Sequence, residues 1–114
     1  MLSFPRTVRL RTREEFDAVQ KGGRRAPARY ATVLARANDL SHDRLGVIAS
    51  RRVGGAVRRN RAKRRIRECF RLLPSPGAVA RSLDVVVIAR SELVTAPFAD
   101  VQADLASAIR RLRA

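Results

Sequence analysis

Arg51-Arg52-Val53-Gly54-Gly55-Ala56-Val57-Arg58-Arg59-Asn60-Arg61-Ala62-Lys63-Arg64-Arg65-Ile66-Arg67-Glu68-Cys69-Phe70-Arg71-Leu72-Leu73 holds ten basic residues and one acid, Glu68. At about 100° per residue, Ala62, Ile66, Cys69, Phe70 and Leu73 gather into one apolar stripe, the spacing of a helix resting on a core. Asn60, Arg64, Arg67 and Arg71 fall on the opposite face, with Arg61 and Lys63 on its flanks. Gly54-Gly55 breaks the chain before the helix, and Pro74 and Pro76 end it near Leu73. Like charges at i, i+4 cost roughly 0.2–0.5 kcal/mol per pair in an isolated helix, and little acid stands nearby to offset them. Stability alone does not select such a face, whereas contacts to phosphates do. The segment reads as a helix docked by one side and cationic on the other.

The elements around it supply what that helix docks on. Thr12 to Lys21 has the pattern of a helix, with Thr12 or its neighbour as cap, Glu14, Glu15 and Asp17 in the first turns, and Gly22-Gly23 as the stop. Phe16, Val19 and Leu10 form its apolar side. Arg29 to Arg36 alternates, with Tyr30, Thr32 and Leu34 on one face and Ala31, Val33 and Ala35 on the other, the period of a strand. A polar turn over Asn38 to Arg44 leads to Leu45–Ser50, and the two runs are expected to pair as an antiparallel hairpin. Leu83 to Ala89 is apolar on both faces and belongs inside a sheet. A last helix from Ala96 or Pro97 to Arg113, with Thr95 as candidate cap, repeats Phe98, Val101, Leu105, Ile109 and Leu112 at helical spacing. The expected fold is α+β: one domain over residues 1–114, a mixed sheet with helices packed on it, and room for one more strand before the basic helix.

Composition narrows the partner. The chain has 114 residues, room for a single core, and 25 Lys and Arg against 10 Asp and Glu, a formal net charge of +15. Only Lys21 and Lys63 are lysines, so 23 of the 25 are arginines, whose planar fork grips phosphate oxygens in pairs. Such an excess is most readily neutralised by a nucleic acid. An anionic membrane fits less well. No run of 18 apolar residues exists, and Met1-Leu2-Ser3-Phe4-Pro5-Arg6 lacks the apolar run of a secretory signal, which gives a cytoplasmic expectation. The single cysteine, Cys69, excludes an internal disulfide, sits in the apolar stripe, and reads as a small buried hydrophobe.

No protein active site is expected. A nucleophile with its base, or carboxylates clustered to hold a metal, is not evident. Glu14, Glu15 and Asp17 suit the start of a short helix better than a metal site. His42, the one histidine, lies in a polar turn and is assigned no role.

The run from Ser50 to Glu68 resembles the signature of the bacterial ribonuclease P protein subunit, with Arg59-Asn60-Arg61 at its centre, Lys63-Arg64 and Arg67 after it, and a glycine-containing loop and Ala56-Val57 before it. The likeness extends along nearly the whole chain, through the Glu15-Phe16 helix with Gly22-Gly23, the Asp84-Val-Val-Val-Ile-Ala-Arg90 strand and the closing helix. It implies an α/β sandwich with a left-handed βαβ crossover, against the usual right-handed rule.

The resemblance further implies a role as accessory subunit of an endoribonuclease whose catalysis resides in RNA, with Mg2+ required by the holoenzyme and none assigned to the protein. The implied partners are the catalytic RNA and precursor tRNA, with no membrane and no protein partner required. Arg59, Asn60, Arg61, Lys63, Arg64 and Arg67 would contact the RNA subunit, joined by Arg51, Arg52, Arg58 and Arg71. Phe16, Tyr30 and Arg29 would hold the single-stranded 5′ leader, in a cleft between the first helix and the sheet. Gln20 departs from the pattern, since many relatives place a second aromatic there. Phe16 fits a core residue as well as a base platform. Two other functions compete: a structural RNA-binding module such as a ribosomal protein, and a protein-only nuclease.

Overall fold

The structure, a computed structural model, describes residues 8–73 and 81–113. The opening Met1–Arg6 segment and Pro74 and Pro76, expected to end the basic helix, lie outside those residues. Among the described residues, three α-helices, α1 (Arg13–Gly22), α2 (Ala56–Arg71) and α3 (Phe98–Arg113), accompany four strands: β1 (Arg24–Pro27), β2 (Ala31–Ala37), β3 (Arg44–Ile48) and β4 (Leu83–Ala89). The fold is α+β. The sheet is mixed, in the order β1-β2-β4-β3, with β4 antiparallel to β2 and parallel to β3. The basic helix α2 is therefore the crossover of a β3-α2-β4 unit.

The expected hairpin between the second and third strands does not form, because β4 lies between them. Val85, Val86 and Val87 are at most 1% exposed. A strand so apolar on both faces is satisfied only at the centre, with a strand along each edge and helices above and below. The Asn38–Asp43 segment consequently crosses the start of β4 and is tied to it. Asn38 Nδ2 donates to Asp84 Oδ1 at 2.8 Å, and the Leu83 N–H donates to Asp43 Oδ1 at 2.8 Å.

Alternation along the strands divides the core into two layers. Ala31, Val33, Ala35, Leu45, Val85 and Val87 face α2 and α3, joined by Ile66, Cys69, Val101, Leu105 and Ile109. Leu34 and Val86 face the other way, under Leu10, Val19 and the half-buried Phe16 of the α1 region. The apolar stripe expected for α2 stands as read, with Ala62, Ile66 and Cys69 buried and Phe70 and Leu73 packed against them.

α1 is seated by charge as well as by apolar contact. Thr12 and Glu15 form a reciprocal capping box at its start. Arg44 on β3 donates through Nε and Nη2 to Asp84, at 2.8 and 2.7 Å, and through Nη1 to Glu15 at 2.8 Å, binding helix and sheet together. Phe16 reaches the sheet because residue 46 is glycine: a Cβ there would stand 2.5 Å from the ring. At the far end of the chain, Thr95 is not the cap of α3. It closes a 3-10 turn over Ser91–Val94, its N–H donating to the Glu92 carbonyl at 3.3 Å.

Candidate nucleic-acid interface

The cations of α2 separate into three sets according to where the helix points them. Arg58 and Arg65 turn toward the protein. Arg65 donates to the carbonyls of Leu93, Val94 and Ala96, at 2.9, 2.5 and 2.5 Å, closing the 3-10 turn before α3. Arg58 donates through Nε to the Val53 carbonyl at 3.0 Å and through Nη2 to that of Ser91 at 3.3 Å. Gly54 permits this. Its φ of +138° suits glycine alone, and a Cβ there would stand 2.6 Å from the Arg58 side chain. Arg58, expected among the RNA contacts, uses Nε and Nη2 to organise the turn that precedes the helix but remains exposed, with Nη1 making no hydrogen bond among the described residues.

A second set, Arg59, Lys63 and Arg67, recurs every fourth residue along a half-buried flank. Arg59 Nε is buried with no hydrogen-bond partner among the described residues. Burial, and then the charge of Arg9, push Arg67 below the ordinary arginine value. Arg9 lies beside the outer edge of β3, bridged to Leu45. Nothing in the local pattern marks Arg9, an isolated cation that tertiary packing brings to the helix.

The third set, Asn60, Arg61, Arg64 and Arg71, is exposed. Arg71 is paired with Glu68 through two hydrogen bonds, of 3.1 and 2.5 Å, and that contact holds the Glu68 carboxyl below the usual range. Arg51 and Arg52, also exposed, lie in the turn that leads into α2. The field of the helix adds to these charges. Gly55 caps α2 without a side-chain hydrogen bond, and no acid occupies its first turn. The positive end of the helix dipole thus coincides with Arg58, Arg59 and Arg61, a constellation suited to anionic oxygens.

The three residues expected to form a leader site are not brought together. Phe16 lies on the α1 side of the sheet. Tyr30 is 5% exposed and belongs to the opposite layer. Its position departs from the expected alternation because it precedes β2 within the tight β1–β2 connection, where the Ala28 N–H donates to the Ala31 carbonyl at 2.9 Å. Arg29 stays with Tyr30, its guanidinium 5.2 Å from the ring centre, and both backbone N–H groups donate to Asp104 of α3. At the C-terminal end of β4, Thr32, Ser50, Arg52, Val53, Ile88 and Arg90 line a groove together with one acid, the exposed Glu92. Gln20 is exposed.

Other groups are accounted for by packing. The Cys69 thiol is buried and pushed up to about 11, chiefly by desolvation, so it remains protonated at neutral pH. No group of three or more His, Cys, Asp or Glu stands together to hold a metal among the described residues. No helix among them is long and apolar enough to cross a membrane.

This arrangement has counterparts. The family model described as Ribonuclease P matches residues 4–113. The chain belongs to the ribonuclease P protein family. The ribonuclease P protein component of Thermotoga maritima is 42% identical over 91 residues, covering 80% of this chain and 76% of that protein. The one from Chloroflexus aurantiacus is 43% identical over 109 residues, covering 93% and 78%. Among solved structures, the Staphylococcus aureus RNase P protein superposes with a TM-score of 0.76 at 28% identity over 94% of this chain and 98% of that one. The Thermotoga maritima RNase P protein gives 0.73 at 34% identity, over 92% and 94%. For a ribonuclease P protein the crossover position of α2 matters: the arginine-rich segment is fixed between two strands that are themselves paired, so its cations are presented from a rigid support.

Proposed function

We propose that this ribonuclease P protein grips the catalytic RNA of the enzyme along α2 and steadies precursor tRNA while the RNA removes the 5′ leader. The observation that carries this reading is the electrostatics of α2. Arg59, Arg61, Lys63, Arg64 and Arg67 line the outward and flanking faces of one anchored helix, with no acid in its first turn and its one acid, Glu68, taken by Arg71. Arginine forks at fixed spacing suit phosphates and riboses of a folded RNA, and they position that RNA without reading its sequence. Arg51 and Arg52 extend the surface toward the groove at the end of β4.

In that groove the single-stranded leader meets Ile88 and Thr32 from the sheet and Arg52 and Arg90 beside the one acid, Glu92, with Phe16 on the same face of the sheet as Ile88. Apolar faces beneath unstacked bases and cations beside their phosphates hold a single strand with little sequence preference. Mg2+ serves the RNA in this reading, and no step is routed through a metal held by the protein. A cytoplasmic setting belongs to the same proposal.

The deciding experiment is cleavage of a precursor tRNA at low Mg2+ by bacterial ribonuclease P RNA, with and without this protein. Release of the leader by the mixture, and by neither component alone, is the expected outcome. A mixture no better than the RNA alone, despite tight binding, would reduce the protein to a general RNA-binding module. Cleavage by the purified protein freed of RNA would overturn the assignment of catalysis to RNA.

A further inference from the structure

Val57 is anomalous among the arginines that surround it. It is 83% exposed, against 42% and 43% for Leu40 and Leu72, the other exposed large hydrophobics among the described residues. It stands in the first turn of α2, with Asn60, Arg61 and Arg64 following on the same side at i+3, i+4 and i+7. These residues line one groove together with Arg65 and Phe98, the first residue of α3. The floor is rigid: Arg65, fixed by its three carbonyl partners, has its guanidinium 5.8 Å from the centre of the Phe98 ring. Three of the six lining residues are arginines and none is an acid.

Two features set this groove apart from a surface that meets phosphates alone. A phosphate gains nothing from Val57, whose apolar surface is costly to leave in water. Asn60 is exposed, and its side chain makes no hydrogen bond among the described residues. Its amide offers donors and an acceptor side by side. The acceptor repels a phosphate oxygen, but it pairs with an exocyclic amine or ring N–H of a base. An apolar wall, an aromatic ring and a stacked guanidinium are the surfaces on which the faces of unstacked bases come to rest.

We propose that the groove between Val57 and Phe98 receives one unpaired nucleobase of RNA, met at its edge by Asn60, while Arg61 and Arg64 hold the phosphates on either side. This rests on the reading of α2 as the RNA-binding helix. The ligand is a bulged or single-stranded nucleotide, because a base stacked inside a duplex presents no free face.

The test measures binding of the full-length protein to ribonuclease P RNA across a salt series, for Val57→Ser, Asn60→Ala and Arg64→Ala, with circular dichroism to verify that each variant is folded. Val57→Ser and Asn60→Ala should each weaken binding by roughly 5- to 10-fold and leave the dependence of log K on log salt unchanged. Arg64→Ala should reduce that slope by about 0.7–0.9. In a second measurement, the wild type should prefer oligoadenylate over an abasic chain of equal length, and Val57→Ser should lose part of that preference. If Val57→Ser and Asn60→Ala bind as the wild type does while Arg64→Ala flattens the slope, α2 meets phosphates only and the nucleobase pocket is wrong. If Arg64→Ala also changes neither affinity nor slope, α2 is not the RNA-binding helix and both proposals fall.

Discussion

α1 and α2 meet the dipoles of their own peptide groups in opposite ways. α1 begins with a capping box and two acids, Glu14 and Glu15, and has Lys21 in its last turn. α3 likewise carries Asp100 in its first turn and Arg110, Arg111 and Arg113 in its last. α2 begins at a glycine with no side-chain cap and no acid, and places arginines where carboxylates would be favourable. The difference teaches that α2 is not held by its local sequence. Ala62, Ile66 and Cys69 on the sheet, and Arg58 and Arg65 on the loops, hold a helix whose outer face would destabilise it alone. The positive potential left over is available to an incoming anion.

The comparison breaks most visibly at the outer face of α2. An Arg64→Ala, Arg67→Ala double variant should lose roughly 10- to 100-fold in affinity for ribonuclease P RNA and about 1.5 units of salt slope. Its thermal midpoint should stay within about 3 °C of the wild type, since neither Arg64 nor Arg67 makes an ion pair among the described residues and two like charges leave the helix. An unchanged slope would remove this face from the interface.

The next largest effect lies one residue away. Arg65→Ala strands three carbonyl acceptors and should cost about 2–3 kcal/mol in urea unfolding, whereas Arg64→Ala should cost almost nothing. Equal losses for these neighbours would show that the two sides of α2 are not divided as described.

On the α1 side, Arg44→Ala leaves the Asp84 and Glu15 carboxylates without their shared cation. With the Arg44 side chain 22% exposed, the loss should be about 2 kcal/mol, below that of a fully buried pair. RNA affinity should move far less than in the α2 double variant. If binding collapses instead, α1 and its anchor belong to the interface.

The smallest effect concerns the cap. Thr12→Ala should cost about 1 kcal/mol. Glu15 is held below the ordinary glutamate value, first by the N–H groups of Thr12 and Arg11 and then by Arg44. A depressed carboxylate stabilises the fold fully above its unfolded-state value, near 4.5, and that stability fades as pH falls through the folded-state value. Glu15→Gln should therefore be less stable than wild type at pH 7, and the gap should narrow in urea titrations carried from pH 6 down to pH 3. A gap constant with pH would show that the Glu15 charge contributes nothing.

What could be read from residues alone follows the same division. The α2 stripe was legible because a 3.6-residue period leaves its mark in sequence whatever the helix packs on. The inward contacts of Arg58 and Arg65 leave no mark of their own in the pattern: on a helical wheel they fall about 64° and 84° from the centre of that stripe, at its edge, where a long side chain can reach either the protein or solvent. The apolar pattern of β4 marks an interior strand, and a central β4 separates β2 from β3, which overrides the hairpin that their proximity in the chain suggests. β1 left no pattern. Two exposed arginines, Ala26 and Pro27 form a strand only because β2 offers a free edge. Tyr30 was placed by alternation, which holds only where the backbone is already pleated. Arg9 is an instance of what sequence does not encode locally, a charge whose neighbour is 58 positions away.

The place of β4 in the sheet has a consequence for biosynthesis. β4 is made after every residue of α2, yet it forms the middle of the sheet that α2 rests on. As the chain emerges from the ribosome, the arginine-rich segment is complete before its support exists, and the contacts that seat it are non-local. A nascent chain arrested before Leu83 exposes concentrated positive charge without a defined shape, able to bind any nearby polyanion. A fixed spacing of those cations exists only once Leu83–Ala89 has been added.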